Sequence, residues 1–242
     1  MIPTLPVVDG IVPIPRVVHQ VWVGGAEPRW VRELWTKWEE FADSNRLEIR
    51  RWTDNNTEHT LSWRVAQKHN LTAVQMADFL RIEVLALQGG LYMDSDTMPL
   101  RSLDDYVGLR SGWLAHGQAW SASGAPTVSN AMIGMPRGSA FMSELFERSV
   151  KALERGVTNT FDIAGPKVYR RTLDRLGDSA GIEIASEGSF PAFRRKQKLL
   201  EQRLGRPLTV NELKDMYPAA RVAHLSAESW VDGKMEKRAL DA

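Results

Sequence analysis

Two aspartates, Asp94 and Asp96, are the residues whose type and spacing most directly suggest chemistry. They follow the apolar run 91–93, which reads as a short buried strand. On an extended segment, side chains two positions apart point to the same side. Two carboxylates held together repel each other unless a cation lies between them. Their oxygens suit hard divalent ions such as Mg²⁺ or Mn²⁺, which neutralise the charge on a departing diphosphate. The alternative is a polar turn after a strand, where Asp and Ser are common.

A helix over residues 72–88 must position this pair. Thr72 and Gln75 form a capping-box pattern at its start, and Gly89 and Gly90 end it. Earlier in the chain, strand 17–23, a helix opening at Pro28 and a strand over 47–52 follow one another. This order implies a parallel sheet of the nucleotide-binding kind.

Further elements follow the acidic pair. We expect strands at 113–115, 131–135 and 182–184, with a Ser/Gly-rich loop over 121–129. Helices are predicted over 139–155 and 167–176, and segment 194–216 is helical in pattern.

The residues around the acidic pair form a longer pattern, A-D-x-x-R-x-x-x-L-x-x-x-G-G-x-Y-x-D-x-D, from Ala77 to Asp96. It resembles the glycosyltransferases with a DXD sugar-binding region. That family includes fungal initiating mannosyltransferases and bacterial capsule and polysaccharide transferases, and more distantly the clostridial glucosylating toxins. Its opening strand is similar to residues 14–22, its central strand to 129–136, its GP turn to Gly165-Pro166 and its C-terminal signature to His224 with Ser229-Trp230. The resemblance covers about residues 14–230.

The resemblance implies an α/β GT-A fold, a Rossmann-like nucleotide-sugar-binding sheet, as one domain over 1–242 with a helical, basic C-terminal insertion at 194–216. It implies retaining, metal-dependent transfer of a hexose from a UDP- or GDP-sugar to a glycan, protein or other hydroxyl acceptor, as in polysaccharide biosynthesis. Mn²⁺, or Mg²⁺, would be held by Asp96, Asp94 and His224, and the catalytic residues would be Asp94, Asp96 and Arg81. The donor-binding residues would be Val21, Trp22, Asp78, Arg81, Tyr92, Asp94, Ser95, Asn130, Ser229 and Trp230, the last two as part of a lid.

Each of these roles has an ordinary structural alternative. Asp78 and Arg81 are three apart on a helix, so they could be a surface ion pair. Trp22 could be a core residue, or it could stack on the nucleotide base, because ligands bind beyond the carboxyl ends of strands. His224 could be a surface or core histidine rather than a metal or phosphate ligand. The side chain of Asn130 could hydrogen-bond to backbone groups at a strand end.

A basic run precedes the C-terminal part of the chain. Such a run is usually a solvated helix face. The sharper hypothesis is that it contacts an anionic acceptor or a partner protein. The run contains Arg194, Arg195, Lys196, Lys198, Arg203 and Arg206 against one acid, Glu201.

Two rival functions belong to other classes. Residues 94–97 also fit the D-x-D-x-T signature of haloacid-dehalogenase-like phosphatases, in which Asp94 would be the nucleophile and Mg²⁺ the cofactor. That motif normally lies near the N-terminus, and no second acidic cluster follows Asp178 at the proper distance. The other rival is a nucleotide-sugar or glycan-binding module without turnover, which turnover assays would distinguish.

The composition of the chain limits the partners and the cellular location that we expect. The formal net charge of +1 gives no reason to expect a nucleic-acid partner, and no apolar run is long enough to span a membrane. The chain has no cysteine, which excludes disulfides and thiolate metal sites. No signal-peptide pattern opens it. We therefore expect a cytoplasmic protein of bacterial or phage origin.

Overall fold

The computed structural model describes residues 5, 12–120, 126–192 and 195–226. A central six-stranded sheet has the order β2-β1-β3-β6-β5-β7, and a separate pair joins β4 to β8. The strands are β1 Val17–Trp22, β2 Glu48–Thr53, β3 Gly90–Met93, β4 Thr97–Pro99, β5 Gly112–Trp120, β6 Pro126–Met135, β7 Ile182–Ile184 and β8 Val222–His224.

Eight α-helices connect these strands within the described part of the chain. They are α1 Arg29–Asn45, α2 Leu61–His69, α3 Ala73–Gln88, α4 Ala140–Glu154, α5 Thr160–Ile163, α6 Pro166–Leu176, α7 Arg195–Leu204 and α8 Val210–Met216. The sequence pattern did not predict α2, which begins at the N-cap Thr60. The helical pattern over 194–216 corresponds to α7 and α8, with a break between them.

The central sheet is mostly parallel, as the sequence predicted, but one strand, β6, runs in the opposite direction. Strand β1 runs parallel to β2 and β3, and β5 runs parallel to β7. Strand β6 is antiparallel to both β3 and β5. The expected parallel order came from the first strand-helix-strand unit, and that unit is indeed parallel. The later reversal depends on β6, which returns directly beside β5 without a crossover helix.

The loop expected over 121–129 is also shorter than predicted. Residues 126–129 belong to β6, where Val128 pairs with His116 and Ser129 pairs with Ala115 on β5. Polar and small residues suggested a loop, but the partner strand supplies the backbone hydrogen bonds that hold this stretch extended.

Helices cover both faces of the sheet. Phe79 of α3, Phe146 of α4 and Tyr169 of α6 pack in one buried cluster with Ile133 of the sheet. Trp38 of α1 packs on the other face in a second cluster with residues such as Val18, Leu91 and Met93. Because successive strand residues point to opposite faces, both faces of β3 are buried, and its carboxyl end is held firmly.

The start of β3 depends on Gly90, which approaches β1 closely. Its φ is +106°, and a Cβ atom there would lie 2.6 Å from the carbonyl oxygen of Val17. Glycine alone combines that conformation with that contact. The capping box at Thr72 and Gln75 starts α3 as predicted. The starts of α3 and β3, which carry the pattern from Ala77 to Asp96, are therefore both fixed.

Strand β8 brings the C-terminal part of the described chain to the acidic pair. It is antiparallel to β4, with His224 opposite Thr97. Helices α7 and α8 cover this small sheet through a third apolar cluster that includes Leu208, Leu213 and Ala223. Among the described residues, none of the helices combines the length and apolar character that a bilayer crossing requires.

Candidate active site

A cleft of about 920 Å³ opens beyond the carboxyl ends of β1 and β3. This is the edge of an open α/β sheet at which ligands usually bind. The structure brings together in this cleft every predicted site residue that it describes. They are Val21, Trp22, Asp78, Arg81, Tyr92, Asp94, Ser95, Asp96, Asn130 and His224.

The two aspartates converge through a turn, not through the extended segment that the sequence suggested. The amide of Thr97 donates to the carbonyl oxygen of Asp94 at 3.1 Å, and its hydroxyl donates to the same oxygen at 2.6 Å. Ser95 fastens the turn to β1, because its hydroxyl donates to the carbonyl oxygen of Val21 at 2.9 Å. The expected convergence is therefore present, but a hydrogen-bonded turn causes it.

His224 reaches the pair from the end of β8. Its Nε2 atom lies 3.1 Å from Oδ1 of Asp96 and 3.9 Å from Oδ2 of Asp94. One ligand atom from each of these three residues lies within 4.8 Å of the others. The amide of Leu225 donates to the carbonyl oxygen of Asp96 at 2.9 Å, which fixes the strand end against the turn. The three side chains therefore form one compact polar group.

Arg81 forms a second group beside the acidic pair. It is 6% exposed, so the pair with Asp78 is buried rather than on the surface. Its guanidinium nitrogens lie 3.0 Å from Oδ1 of Asp78 and 3.2 Å from Oδ1 of Asp94. Arg81 also donates to the carbonyl oxygen of Asn130, and its guanidinium lies 4.5 Å from the centre of the Tyr92 ring.

Two neutral side chains complete this group. The Tyr92 hydroxyl donates to Oδ1 of Asp94 at 2.8 Å, and the Asn130 amide donates to Oδ1 of Asp78 at 3.0 Å. The side chain of Asn130 thus hydrogen-bonds to a carboxylate of the cleft. These contacts hold the Arg81 guanidinium in one orientation, which suits recognition of hydroxyl or phosphate groups.

Burial and crowding shift the pKa values of these groups. Burial, together with the Asp94 charge, raises the pKa of Asp78 to about 7, although Arg81 opposes the shift. Burial and the neighbouring Asp96 raise the pKa of Asp94 above its usual range. Burial alone would lower the pKa of His224, but the Asp96 and Asp94 carboxylates outweigh it and raise that pKa. Ionisation of Asp78 and Asp94 is therefore less favourable than that of exposed carboxyl groups, and the charged form of His224 is favoured.

Trp22 lies at the rim of the cleft. It is half-buried, and its ring meets that of Trp30 edge to face, with the ring centres 5.9 Å apart. Part of the indole therefore faces the cleft, as base stacking would require, and part of it packs against a neighbour.

Several cleft residues were not predicted from the sequence. Three are the cations Lys167, Arg170 and Arg171 of α6, and two others are Phe161 of α5 and His116 of β5. The i, i+3, i+4 spacing of the three cations was the available signal, since such residues share one helix face. The spacing alone does not show that this helix face meets the cleft.

Some predicted residues fall outside this description. Ser229, Trp230 and Arg194 lie outside the described residues, as do the side chains of Arg195 and Lys196. In the remainder of the basic run, Arg206 pairs with Glu212 of α8 at 2.8 Å. Lys198, Arg203 and Arg206 are not among the residues that line the cleft.

The sequence of this region matches a described family. Residues 26–116 match the glycosyltransferase sugar-binding region containing a DXD motif. The glycosyltransferase L373 of Acanthamoeba polyphaga mimivirus, itself uncharacterized, is 33% identical over 106 residues, which cover 40% of this chain and 41% of that protein. Toxin Afp18 of Yersinia ruckeri is 26% identical over 99 residues, which cover 41% of this chain and 5% of the toxin. The chain thus spans less than half the length of these relatives.

Solved structures extend the likeness over most of the fold. The PaToxG glycosyltransferase superposes with a TM-score of 0.55 at 16% identity, covering 86% of each chain. A glycosyltransferase involved in glycosylation of the major capsid of PBCV-1 superposes with a TM-score of 0.52 at 10% identity, covering 88% of this chain and 93% of that one. The predicted GT-A fold is confirmed, and so is the predicted family resemblance.

Proposed function

We propose that this chain, which carries the DXD-containing sugar-binding region of glycosyltransferases, is a metal-dependent enzyme that transfers a hexose from a UDP- or GDP-sugar to a hydroxyl acceptor. One observation carries the proposal. His224, from a distant part of the sequence, meets the acidic pair of Asp94 and Asp96 in the cleft at the carboxyl ends of the strands.

The side chains of Asp94, Asp96 and His224 suit a divalent cation. The carboxylates of Asp78 and Asp94 share one arginine, Arg81, and the charge of Asp96 acts on Asp94. Closely spaced buried carboxylates repel one another unless a cation lies between them. Asp94, Asp96 and His224 would hold that cation, which supplies charge neutralisation for the departing diphosphate. Carboxylates suit Mn²⁺ and Mg²⁺, but Mg²⁺ prefers oxygen ligands, so the imidazole favours Mn²⁺.

The neighbouring side chains would bind the donor. Arg81 presents a fixed guanidinium, while Asp78 and Asn130 offer a carboxylate and an amide to the hydroxyl groups of a sugar. Trp22 would stack on the nucleotide base at the rim of the cleft. Tyr92 and Ser95 would act mainly by holding Asp94 and the turn in place. Ser229 and Trp230 would close over the diphosphate, as the family resemblance implies.

Transfer would proceed with retention. The bond between the anomeric carbon and the diphosphate oxygen breaks, and its electron pair leaves with the diphosphate. The acceptor hydroxyl forms the new bond on the same face, and its proton goes to the departing diphosphate oxygen. Such a path relies on electrostatic stabilisation by preorganised groups and needs no separate nucleophile. A glycan or protein acceptor, a role in polysaccharide synthesis and a cytoplasmic location stay predictions from the sequence, as does the single domain over 1–242.

The phosphatase alternative receives less support. It requires Asp94 as a nucleophile, yet Oδ1 of Asp94 already accepts from Tyr92 and lies beside Arg81. Those contacts engage one of the two oxygens that a nucleophilic carboxylate would use. It also leaves Asp78 and His224 without roles, whereas both belong to the cleft.

A donor panel tests the proposal. Purified protein is incubated with UDP- and GDP-sugars in Mn²⁺, Mg²⁺ or EDTA, and the released nucleoside diphosphate is measured. Release from one donor that requires metal, and is faster in Mn²⁺, supports the proposal. Mg²⁺-dependent hydrolysis of a phosphomonoester without release from any donor would replace it with the phosphatase. NMR of the product's anomeric proton then distinguishes retention from inversion.

A further inference from the structure

The wall of the cleft formed by α5 and α6 has a chemistry that the donor site does not use. Lys167, Arg170 and Arg171 lie on one face of α6 and line the cleft. We call these three residues the α6 cationic face. None of them belongs to the group around Asp94 or to the group around Arg81.

The position of Lys167 opposes the helix dipole. Lys167 is the second residue of α6, and no acidic residue occurs in the first turn. Cations are unfavourable near a helix N-terminus, where anions are stabilised. A sequence that breaks a local rule in this way usually does so at a functional site. An anion bound against the face would remove the conflict.

Two of the cations share one carboxylate. Lys167 and Arg171 both pair with Asp162, at 2.9 and 2.8 Å, and Arg170 pairs with Asp174. The side chains of Lys167 and Arg171 are 56% and 59% exposed. Ion pairs that exposed are weak, so an incoming anion could reorganise them at little cost.

An aromatic side chain lies in the same wall. Phe161 is 40% exposed, which is unusual for a large apolar residue, and it lines the cleft. Gly165 holds it beside α6, because a Cβ atom at that position would lie 2.7 Å from the Cα of Phe161. An exposed aromatic ring in a cleft offers an apolar face on which a sugar ring can pack.

The opposite side of α6 connects this wall to the reaction centre. Tyr169 is fully buried and lies within electrostatic reach of Arg81, whose charge opposes the rise that burial causes in the Tyr169 pKa. One helix therefore faces the donor-sugar group on its buried side and the open cleft on its cationic side. A ligand on the cationic face would lie in the same cleft as the proposed donor site.

We propose that Phe161 and the α6 cationic face form an acceptor subsite for a saccharide that bears an anionic group, either a carboxylate or a phosphate. The inference rests on the proposed function, because it names the acceptor class of that same cleft. The sugar ring packs on Phe161, and the anionic group pairs with Lys167, Arg170 and Arg171.

Isothermal titration calorimetry in EDTA tests the subsite without contribution from metal-bound anions. The probes are trigalacturonate against its neutral trimethyl ester, and glucose 6-phosphate against glucose. We expect at least one anionic probe to bind about fivefold or more tighter than its neutral counterpart, with a preference that weakens as salt rises. The carboxylate and phosphate arms show which group is preferred.

Variants locate the binding. Lys167→Gln/Arg171→Gln should abolish the preference for the anionic probe, while Phe161→Ala should weaken the anionic and neutral probes alike. The matched control Lys151→Gln/Arg175→Gln removes the same two kinds of charge from α4 and the far end of α6, outside the cleft, and should change nothing. Equal binding of charged and neutral probes, no binding of either anion, or binding unchanged in the first variant would overturn the proposal.

Donor kinetics separate this proposal from the function on which it rests. Metal-dependent release of nucleoside diphosphate from the donor, measured without acceptor, should keep its KM in Lys167→Gln/Arg171→Gln. A raised donor KM would assign the cations to the donor diphosphate and overturn the acceptor subsite. Absence of donor turnover in the wild type would instead count against the proposed function, whatever the calorimetry gives.

Discussion

The Nε2 atom of His224 lies 3.1 Å from Oδ1 of Asp96, although one residue ends β8 and the other lies in the turn after β3. The antiparallel pairing of β4 with β8 produces this contact. Trp38 of α1 stabilises the β4 side of this pairing, because its indole nitrogen donates to the carbonyl oxygen of Thr97 at 3.0 Å. The cation-binding group therefore depends on the small second sheet as much as on the acidic motif.

Replacement of His224 should weaken cation binding and leave the fold intact. His224→Gln removes a neutral nitrogen ligand, so we expect the affinity for Mn²⁺ to fall about tenfold or more, and that for Mg²⁺ to fall less. Calorimetric titration with each metal checks the result. The control His59→Gln changes an exposed histidine outside the cleft. Equal Mn²⁺ affinity in the two variants would show that His224 is not a ligand.

Replacement of Arg81 should be costly for stability as well as for activity. Arg81→Gln leaves the buried carboxylates of Asp78 and Asp94 without their cation, and the loss of one partner from a buried pair typically costs about 3 kcal/mol or more. Urea denaturation followed by circular dichroism measures the free energy of unfolding. The exposed pair between Arg29 and Glu33 provides the comparison, because Arg29→Gln should cost less than about 1 kcal/mol. Similar losses in both variants would argue against a buried, structured Arg81 cluster.

His19 should make the stability depend on pH. It is fully buried on β1, its Nδ1 accepts from Trp52 at 3.1 Å, and its Nε2 pairs with the carbonyl oxygen of Gly89 at 2.9 Å. Both nitrogens are satisfied by the neutral ring, and burial lowers the pKa of His19 to about 4, with Arg50 adding to the shift and Glu48 opposing it.

The lowered pKa of His19 determines the direction in which stability changes with pH. Above pH 6.5 the ring is neutral in both states and the full stability is present. As the pH falls from about 6.5 to about 4, the unfolded chain takes up a proton that the folded protein does not, so about 3 kcal/mol is lost. Urea denaturation at a series of pH values measures this loss as a difference from His19→Gln: the wild type and His59→Gln should each lose this stability relative to that variant as the pH falls. The opposite contribution of Asp78, whose pKa is raised, is common to all three proteins. Parallel curves for the wild type and His19→Gln would show that His19 does not contribute.

Much of the site could be predicted because its signals are local. The capping box at Thr72, the glycine pair after α3 and the acidic pair after β3 all lie in one continuous stretch, and the structure uses each of them as expected. The antiparallel course of β6 was missed because strand direction depends on long-range pairing, which short-range periodicity does not contain. The sequence left both an extended segment and a polar turn open at Asp94, because alternation alone cannot distinguish a strand end from a turn.

The α6 cationic face shows a different limit of sequence reasoning. The spacing of its three cations predicts a shared helix face, but only the fold shows that this face lines the cleft. The basic run over 194–206 is more prominent in the sequence, and Arg206 of that run pairs with Glu212 on the neighbouring helix. Contact of the run with an anionic acceptor or a partner protein stays a prediction.

The most direct test of the central claim compares Asp96→Asn with the wild type and with Asp43→Asn, an exposed aspartate of α1, in metal-dependent release of nucleoside diphosphate from the preferred donor. Loss of one ligand charge should reduce turnover about a hundredfold or more, because the charge on the departing diphosphate is no longer offset. The thermal unfolding midpoint of Asp96→Asn should stay near that of the wild type, and Asp43→Asn should be unchanged in both measurements. Metal-dependent turnover near the wild-type rate in a folded Asp96→Asn protein would contradict the account.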